Sequence, residues 1–365
     1  MPPQPRLYLD HAATTPVLPE ARAAMAEALV KWANPSSPHA EGRAARAALE
    51  DARGRVARAL DWAGEVIFTS GATEALVIAW GRAKRPNRWM SPLEHDALLR
   101  LGGGGEGRDD ALIAQQHVNN ETGEIFGTGN ENPFVLSEVE ARATSDDVSS
   151  PSLDYAQDER ASLEPTSLHL ADCAQSAGKL PLPQADLIAI SGHKLGAPPG
   201  TGALLVRDFA MLDATGGQER GYRGGTENLP AAIALATALE APRDWFDMMP
   251  ALRARLEDGI RAEGGVVVAE DRPRIPTIGS YRLPGMAATT QLIRLDLAGI
   301  AVSAGSACSS GSMKPSHVLA AMGWPEEEAR EVIRVSFGRD TDAAAIDRFL
   351  DVWSKMAREA RSRAA

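Results

Sequence analysis

Residues 186–207, DLIAISGHKLGAPPGTGALLVR, constrain the fold more than any other stretch. Leu187 to Ile190 form a short apolar run, the signature of a strand buried on both faces. Ser191, Gly192, His193 and Lys194 turn off its end, and a loop of two prolines and three glycines follows. Ala203 to Val206 make a second apolar run, closed by Arg207. Lys194 therefore lies between two core strands. The chain has six lysines against thirty-two arginines, so arginine is its ordinary surface cation and a lysine here stands out. Two readings of Lys194 stay open on this segment alone. One is a solvated loop lysine; the other is an amine held in a partly apolar pocket, where it can form a Schiff base.

At 365 residues the chain is long enough for two domains. A net charge of −11 argues against nucleic acid or an anionic membrane surface as partner. Two cysteines, Cys173 and Cys308, make no disulfide framework, and no Cys/His spacing resembles a zinc site. The N-terminus lacks the apolar core of a signal peptide, and no apolar run approaches the roughly 18 residues of a membrane span. A cytoplasmic location is the expectation.

Along the chain, the pattern predicts a strand at Leu7–Leu9, a turn over His11–Pro16 and a helix from Pro19. An amphipathic helix carries Ala45, Ala48, Leu49, Ala52, Val56, Ala59 and Leu60 on one stripe. A strand over Val66–Thr69 runs into Ser70-Gly71-Ala72-Thr73-Glu74-Ala75. Small residues there let backbone N–H groups approach an anion at a helix N-terminus, and a plain helix cap fits equally well. Further strands are expected at Trp89–Ser91, Leu112–Val118 and Leu168–Asp172. Residues 128–167 are polar, with scattered apolar positions, and read as an insertion that is helical at most over Leu136–Ala143. After a Gly/Arg-rich loop at 216–228 and helices over Pro230–Leu239 and Trp245–Ala262, short strands (Val266–Val268, Thr277–Tyr281, Ile300–Ser303, Val332–Ser336) suggest a second domain. The last helix puts Ile346, Phe349, Leu350, Trp353 and Met356 on one face. Strand–loop–helix alternation over about 66–207 indicates an α/β domain with a mostly parallel sheet. Ligands bind such sheets at the carboxyl ends of the strands. Ser70, His95, Asn120, Asp172 and Ser191 all follow expected strands and can meet in one pocket.

Asp172 and Lys194 stand 22 residues apart, each after a strand, with a small-residue turn upstream. Pyridoxal 5'-phosphate (PLP) calls for this set. A lysine joins its aldehyde, an aspartate keeps its pyridine nitrogen protonated, and a helix N-terminus holds its phosphate. His95 can stack on the ring, although a core histidine fits its position as well.

The segments YLDHAATTP (8–16), TSGATEA (69–75), HVNNETG (117–123), ADCAQSAGK (171–179), SGHKLGAPPGTGAL (191–204), GGQERGYRGGTEN (216–228), SAGSACSSG (303–311) and IRVSFGR (333–339), together with Glu94-His95, resemble those of the NifS/IscS-type cysteine desulfurases. These are PLP enzymes of the class V aminotransferase superfamily. The resemblance implies PLP-dependent transferase fold type I, with a large domain (14–244) on a seven-stranded-type sheet. A smaller α/β domain (1–13 with 245–365) would carry the cysteine loop. It implies that Lys194 is the Schiff-base lysine and base, that Asp172 pairs with the pyridine nitrogen, and that Gln175 meets the ring oxygen. His95 would stack on the ring and move protons. Ala72, Thr73, Ser191 and His193 would bind the phosphate, and Thr226 that of the partner subunit in a homodimer. Asn120 would face cofactor or substrate, and Arg334, with Asn34 nearby, would hold the substrate carboxylate. Cys308 would be the nucleophile that takes sulfur from L-cysteine, leaving L-alanine. The sulfur would pass to an acceptor such as an iron–sulfur scaffold, or toward tRNA thiolation.

Two intervals depart from the family's pattern. His95 to Asn120 is 25 residues, shorter than in the family, and Asn120 to Asp172 is 52, longer. A strand and helix expected between His95 and His117 are candidates for loss. Cys173 reads as structural. The alternatives are a related selenocysteine lyase or aminotransferase, and a non-catalytic relative that binds partners. The cysteine loop speaks against an aminotransferase, which needs no thiol.

Overall fold

The structure is a computed structural model that describes residues 5–103, 108–127, 167–305 and 316–364. The expected insertion, with its helix over Leu136–Ala143, and Cys308 lie outside the described residues, apart from Ser167.

The main sheet is built from β2 (Glu65–Thr69), β3 (Asn87–Met90), β4 (Ala111–Gln116), β5 (Leu168–Asp172), β6 (Leu187–Ser191) and β7 (Gly202–Val206). Their spatial order is β2-β7-β6-β5-β4-β3. β3 to β6 run parallel, and β7 runs antiparallel to both β2 and β6. Six strands stand among the described residues, the seven-stranded type shortened by one, in keeping with the loss expected between His95 and His117. Between His95 and β4 the described chain holds only one turn of helix, α4 (Asp96–Leu99), so β3 forms the sheet's edge. An interval this short cannot add another parallel strand, which needs a crossover of a dozen or more residues.

Helices cover both faces. α1 (Pro19–Val30), α2 (Ala40–Ala59) and α5 (Leu229–Glu240) pack Ala21, Leu49, Ala52, Val56 and Leu235 against one face. α3 (Ala72–Arg82) packs Leu76 and Ala79 against the other. The predicted stripe of α2 is the buried one, with Ala48 and Ala59 at its margin. With helices on both sides, β6 and β7 are buried at every residue. Each buried Leu or Ile contributes roughly 1.5–3 kcal/mol relative to an exposed one. β7 begins at a glycine because a Cβ there would stand 2.5 Å from the Ile190 carbonyl oxygen and 2.7 Å from Gly71 Cα. That close approach brings the turn before α3 against the strand that follows the Lys194 loop.

A second core gathers α6 (Met249–Ala262), α10 (Ala343–Ala364) and an antiparallel sheet, with α7 (Ala288–Leu297), α8 (His317–Ala321) and α9 (Glu326–Ala329) between the two helices in sequence. In that sheet β9 (Ile278–Arg282) lies between β8 (Val266–Val267) and β11 (Val332–Ser336). Phe349, Trp353 and Met356 of α10 fill it, as their spacing predicts, while Leu350 packs at its margin. β1 (Leu7–Tyr8) pairs in parallel with β10 (Ile300–Ala301), and Leu9 is buried in this core. The chain then crosses over: Asp10 bridges to Ser336, and Thr15 N–H donates to the His193 carbonyl. The strap over residues 10–15 therefore ties the second core to the Lys194 loop. Among the described residues no helix is long and apolar enough to cross a membrane.

Candidate active site

A cavity of about 860 Å³ opens at the carboxyl ends of the parallel strands. Gln116, Asp172 and Ser191, the last residues of β4, β5 and β6, all line it. The N-terminus of α3, Asn120, His95 and Arg334 complete its wall. The structure thus brings together His95, Ala72, Thr73, Asn120, Asp172, Gln175, Ser191, His193, Lys194 and Arg334. Asn34 and Thr226 are exposed and are not among the residues lining it. Asn34 turns its side-chain oxygen to the Ser36 N–H at 2.9 Å. The loop that carries Cys308 enters from Gly305, and the chain after it resumes at Ser316 and His317; Gly305 and His317 both line the cavity.

Lys194 closes a short 3-10 turn, Gly192–Lys194, at the end of β6. Its Nζ donates to the Ala12 and Ala13 carbonyls at 2.5 and 2.8 Å. Its own carbonyl accepts from Thr15 Oγ1 at 3.1 Å. The strap thus fixes both ends of this residue. Asp172 accepts the Ala174 N–H at 2.9 Å. Burial pushes its carboxyl above the ordinary range, against the pull of the Ala174 N–H and the charges of His95 and Lys194. Gln175 Nε2 donates to the Ala12 carbonyl at 2.9 Å, while its Oε1 is buried with no hydrogen-bond partner among the described residues.

His95 caps α4, its Nδ1 accepting the Ala97 N–H at 3.1 Å. In the neutral ring the proton is then on Nε2. The turn before α3 has no side-chain cap on its first N–H groups. Glu74 instead reaches back to the Ser70 N–H at 2.6 Å and accepts Arg223 Nε at 3.0 Å. Against the cost of burial, these two donors hold the Glu74 carboxyl below its ordinary range. The N–H groups of Ala72 and Thr73 sit at the positive end of an eleven-residue helix, a setting for an anion. His193 Nδ1 lies 3.2 Å from Thr14 Oγ1; burial and the Lys194 charge push its pKa down to about 4.

Arg334, in the middle of β11, donates to Asp10 Oδ1 at 2.8 Å and to the Asn120 carbonyl at 2.9 Å. It is buried, and its Nε is unpartnered among the described residues. Sequence reasoning gives Asp10 no role and reads Ala12 and Ala13 as part of a plain turn, yet all three belong to the site. Their partners lie 324, 182 and 181 positions away. The one available signal was the presence of YLDHAATTP among the resembling segments. Cys173 is fully buried in the main core, and burial pushes its thiol well up, as suits a structural residue.

The residues present fit PLP. Among the described residues a buried carboxylate makes no ion pair, an amide oxygen has no donor and a helix N-terminus has no side-chain cap, and a lysine amine faces the same space. Comparison with known proteins agrees. The family "Aminotransferase class-V" matches residues 7–96 and 164–349, and its break spans the shortened interval and the insertion. A cysteine desulfurase of Cereibacter sphaeroides is 35% identical, over 95% of this chain and 94% of its own. Among solved structures, a NifS-like protein superposes with a TM-score of 0.77 at 25% identity, covering 96% of this chain and 99% of its own. SspA in complex with cysteine gives a TM-score of 0.69 at 26% identity, over 91% and 98% of the two chains. The family match, the relative's coverage and the site geometry agree: the chain belongs to the cysteine desulfurases of the class-V aminotransferase family.

Proposed function

We propose that the cavity binds PLP and takes sulfur from L-cysteine. The observation that carries this reading is the convergence of Lys194, Asp172, Gln175 and the α3 N-terminus on one cavity with Arg334. Lys194 would hold the cofactor through its amine and move the substrate's Cα proton. Asp172, pushed toward protonation by burial, would share a proton with the pyridine nitrogen. Gln175 would meet the ring oxygen and His95 the ring face. Ala72, Thr73, Ser191 and His193 would hold the phosphate. When bound, PLP supplies an electron sink for charge developing at the substrate's Cα. Arg334 would hold the substrate carboxylate in a two-point contact, exchanging its Asp10 and Asn120 partners.

Cys308 is the only cysteine besides the buried Cys173, and its loop leaves and rejoins the described chain at the cavity wall. Its thiolate would attack the substrate sulfur. The carbon–sulfur bonding pair goes to the substrate carbon, which is protonated to L-alanine, and the sulfur stays on Cys308 as a persulfide. The structure of SspA with cysteine, a relative in fold, supports cysteine as substrate. Thr226 is exposed and does not line its own chain's cavity, which is compatible with a homodimer in which each Thr226 would serve the other subunit's phosphate. The acceptor would be an iron–sulfur scaffold or a tRNA-thiolation carrier, and the enzyme cytoplasmic. The two cores correspond to domains of 14–244 and of 1–13 with 245–365.

Incubating the purified protein with L-cysteine should yield alanine. Mass spectrometry should find one added sulfur on Cys308, and Cys308→Ser should abolish both products while cofactor absorbance survives. Alanine at the wild-type rate from the serine variant would replace this reading with a lyase.

A further inference from the structure

Lys194 has a second lysine behind it. The end of β5 and the turn after it carry Asp172, Gln175 and Lys179 in succession. The first two line the large cavity. Lys179 faces the opposite side of Lys194, where a small cavity of about 30 Å³ is lined by both lysines together with Thr15, Trp245 and Phe337. Lys194 lines both cavities and stands between them. Lys179 Nζ donates to the Gln175 carbonyl at 3.1 Å, and no carboxylate pairs with it among the described residues. Gln175 in turn donates to the Ala12 carbonyl that also accepts Lys194. The two ammonium groups thus hang on one short hydrogen-bonded frame.

We propose that Lys179 is a positioning residue whose charge disfavours a second positive charge at Lys194 and so lowers the pH at which the Lys194 amine sheds its proton and becomes reactive. The proposal rests on Lys194 being the cofactor lysine. Only a neutral amine attacks a carbonyl carbon, and a neighbouring cation is one of the two ordinary ways to lower a lysine's basicity. The Ala12 and Ala13 carbonyls favour the ammonium, and so does Asp172, so the site needs an opposing charge. Burial and the Lys194 charge push Lys179 itself down to about 8, which leaves it mostly charged at neutral pH. The other groups facing the pair are His11, beside Lys179 and Asp340, His193, beside Lys194, and Arg339 at the small cavity. His95 faces Asp172. Burial, with the Lys179 charge adding to it, pushes His11 down to about 4, and the same kind of burial holds His193 at about 4, so neither ring carries charge at neutral pH.

The test uses cofactor-free full-length protein. Lysines are acetylated with acetic anhydride across pH 6–11, and the Lys194 peptide is quantified by mass spectrometry. Lys179→Met should raise the midpoint of Lys194 labelling by about one pH unit, a tenfold change in the fraction of free amine at a given pH. Lys179→Arg, which keeps the charge, should titrate with the wild type. Equal midpoints for wild type and Lys179→Met overturn the proposal. So does an equal rise in both variants, which would assign the effect to packing. If Lys179→Met fails to fold, the wild type labelled with [ε-¹³C]lysine decides: two of its six lysine signals should titrate well below the rest. All six titrating near the free-lysine value overturns the proposal. Borohydride reduction of the PLP-loaded wild type is a separate readout. A label away from Lys194 would strike the functional reading, while the labelling midpoints would still report whether the two amines are coupled.

Discussion

The two sides of the main sheet have been treated differently. On one side, β5, β6 and β7 are almost wholly buried, and their ends carry Asp172, Ser191, Lys194 and the Gly202 contact with the α3 turn. On the other, β3 is a four-residue edge strand without a fully buried residue, and the described chain between it and β4 makes only one turn of helix. The family match breaks after residue 96 and resumes at residue 164, just before β5. The edge side supplies to the cavity His95 with the α4 turn after it (Asp96, Leu99, Arg100), Gln116 at the end of β4, and Asn120 beyond it. A parallel sheet can shorten at its edge without moving these positions, because register is set by the neighbour toward the centre. β4 pairs with β5 over five residues, Leu112 to Gln116, and Gln116 stands beside Asp172. Asp172, Ser191 and Lys194 are therefore insulated from the altered interval by one well-paired strand, whereas His95 sits at its start.

The sharpest test of the central side is Lys194→Ala. It should eliminate cofactor attachment and activity together, since Lys179 lies behind Lys194 and lines only the smaller cavity. Absorbance of the bound cofactor and borohydride mapping check this; attachment through Lys179 in the variant would break the assignment.

Next in size is Arg334, which spans the two cores. Arg334→Lys keeps the charge but loses the fork that now meets Asp10 and Asn120. One charged hydrogen bond is worth about 1.5–3 kcal/mol. We expect kcat/KM for L-cysteine to fall about tenfold to a hundredfold, mostly through KM. Steady-state alanine production measures it, and an unchanged KM would remove Arg334 from substrate binding.

A stability comparison follows. Leu170 is fully buried at the centre of β5, and Met90 is half-buried on the edge. Leu170→Ala should cost about 2–5 kcal/mol, and Met90→Ala about 1 kcal/mol. Denaturant unfolding of the two variants compares them. Equal losses would mean that the edge is as integral to the fold as the centre.

The sequence carried most of the central side in legible form. The Leu187–Ile190 and Ala203–Val206 runs are strands buried on both faces, and their composition says so. The stripe on α2 and the face of α10 were readable for the same reason: burial imposes a period. What could not be read was three-dimensional closure. Nothing near Lys194 in sequence announces that Ala12 and Ala13 would receive its amine, because backbone carbonyls have no residue-type signature. Arg334 was legible as a cation in a strand, but not its pairing with Asp10, which depends on β1 lying beside β10 and the strap crossing to β11. The antiparallel course of β7 was equally hidden: an apolar run looks the same in either direction.

The smallest expected effect is a pH dependence that again separates the two sides. His117 follows the end of β4, with Nδ1 2.9 Å from Ser176 Oγ, and burial pushes its pKa down to about 4. Burial does the same to His11, with Lys179 adding to it, and to His193, with Lys194 adding to it. The unfolded chain takes up these protons near pH 6.5, while the folded chain resists until about pH 4. Stability from these rings is thus fully present above pH 6.5 and is lost as pH falls toward 4. Carboxylates such as Glu50, Glu74 and Glu257 are held below their ordinary range and act lower still; His169, also lowered by burial, adds to the slope of these rings, and the buried Asp172, raised by burial, works against it. Thermal melts from pH 7 to 5 should show a falling Tm. His117→Asn should flatten the slope and leave cofactor binding intact, because His117 is not part of the cavity lining. His193→Asn should flatten it by a similar amount but weaken cofactor binding, because His193 lies beside Lys194 at the cavity. A Tm that stays level from pH 7 to 5 would show that the three rings are reached by water in the folded protein. Equal cofactor losses in the two variants would show that the end of β4 is coupled to the site as tightly as the end of β6.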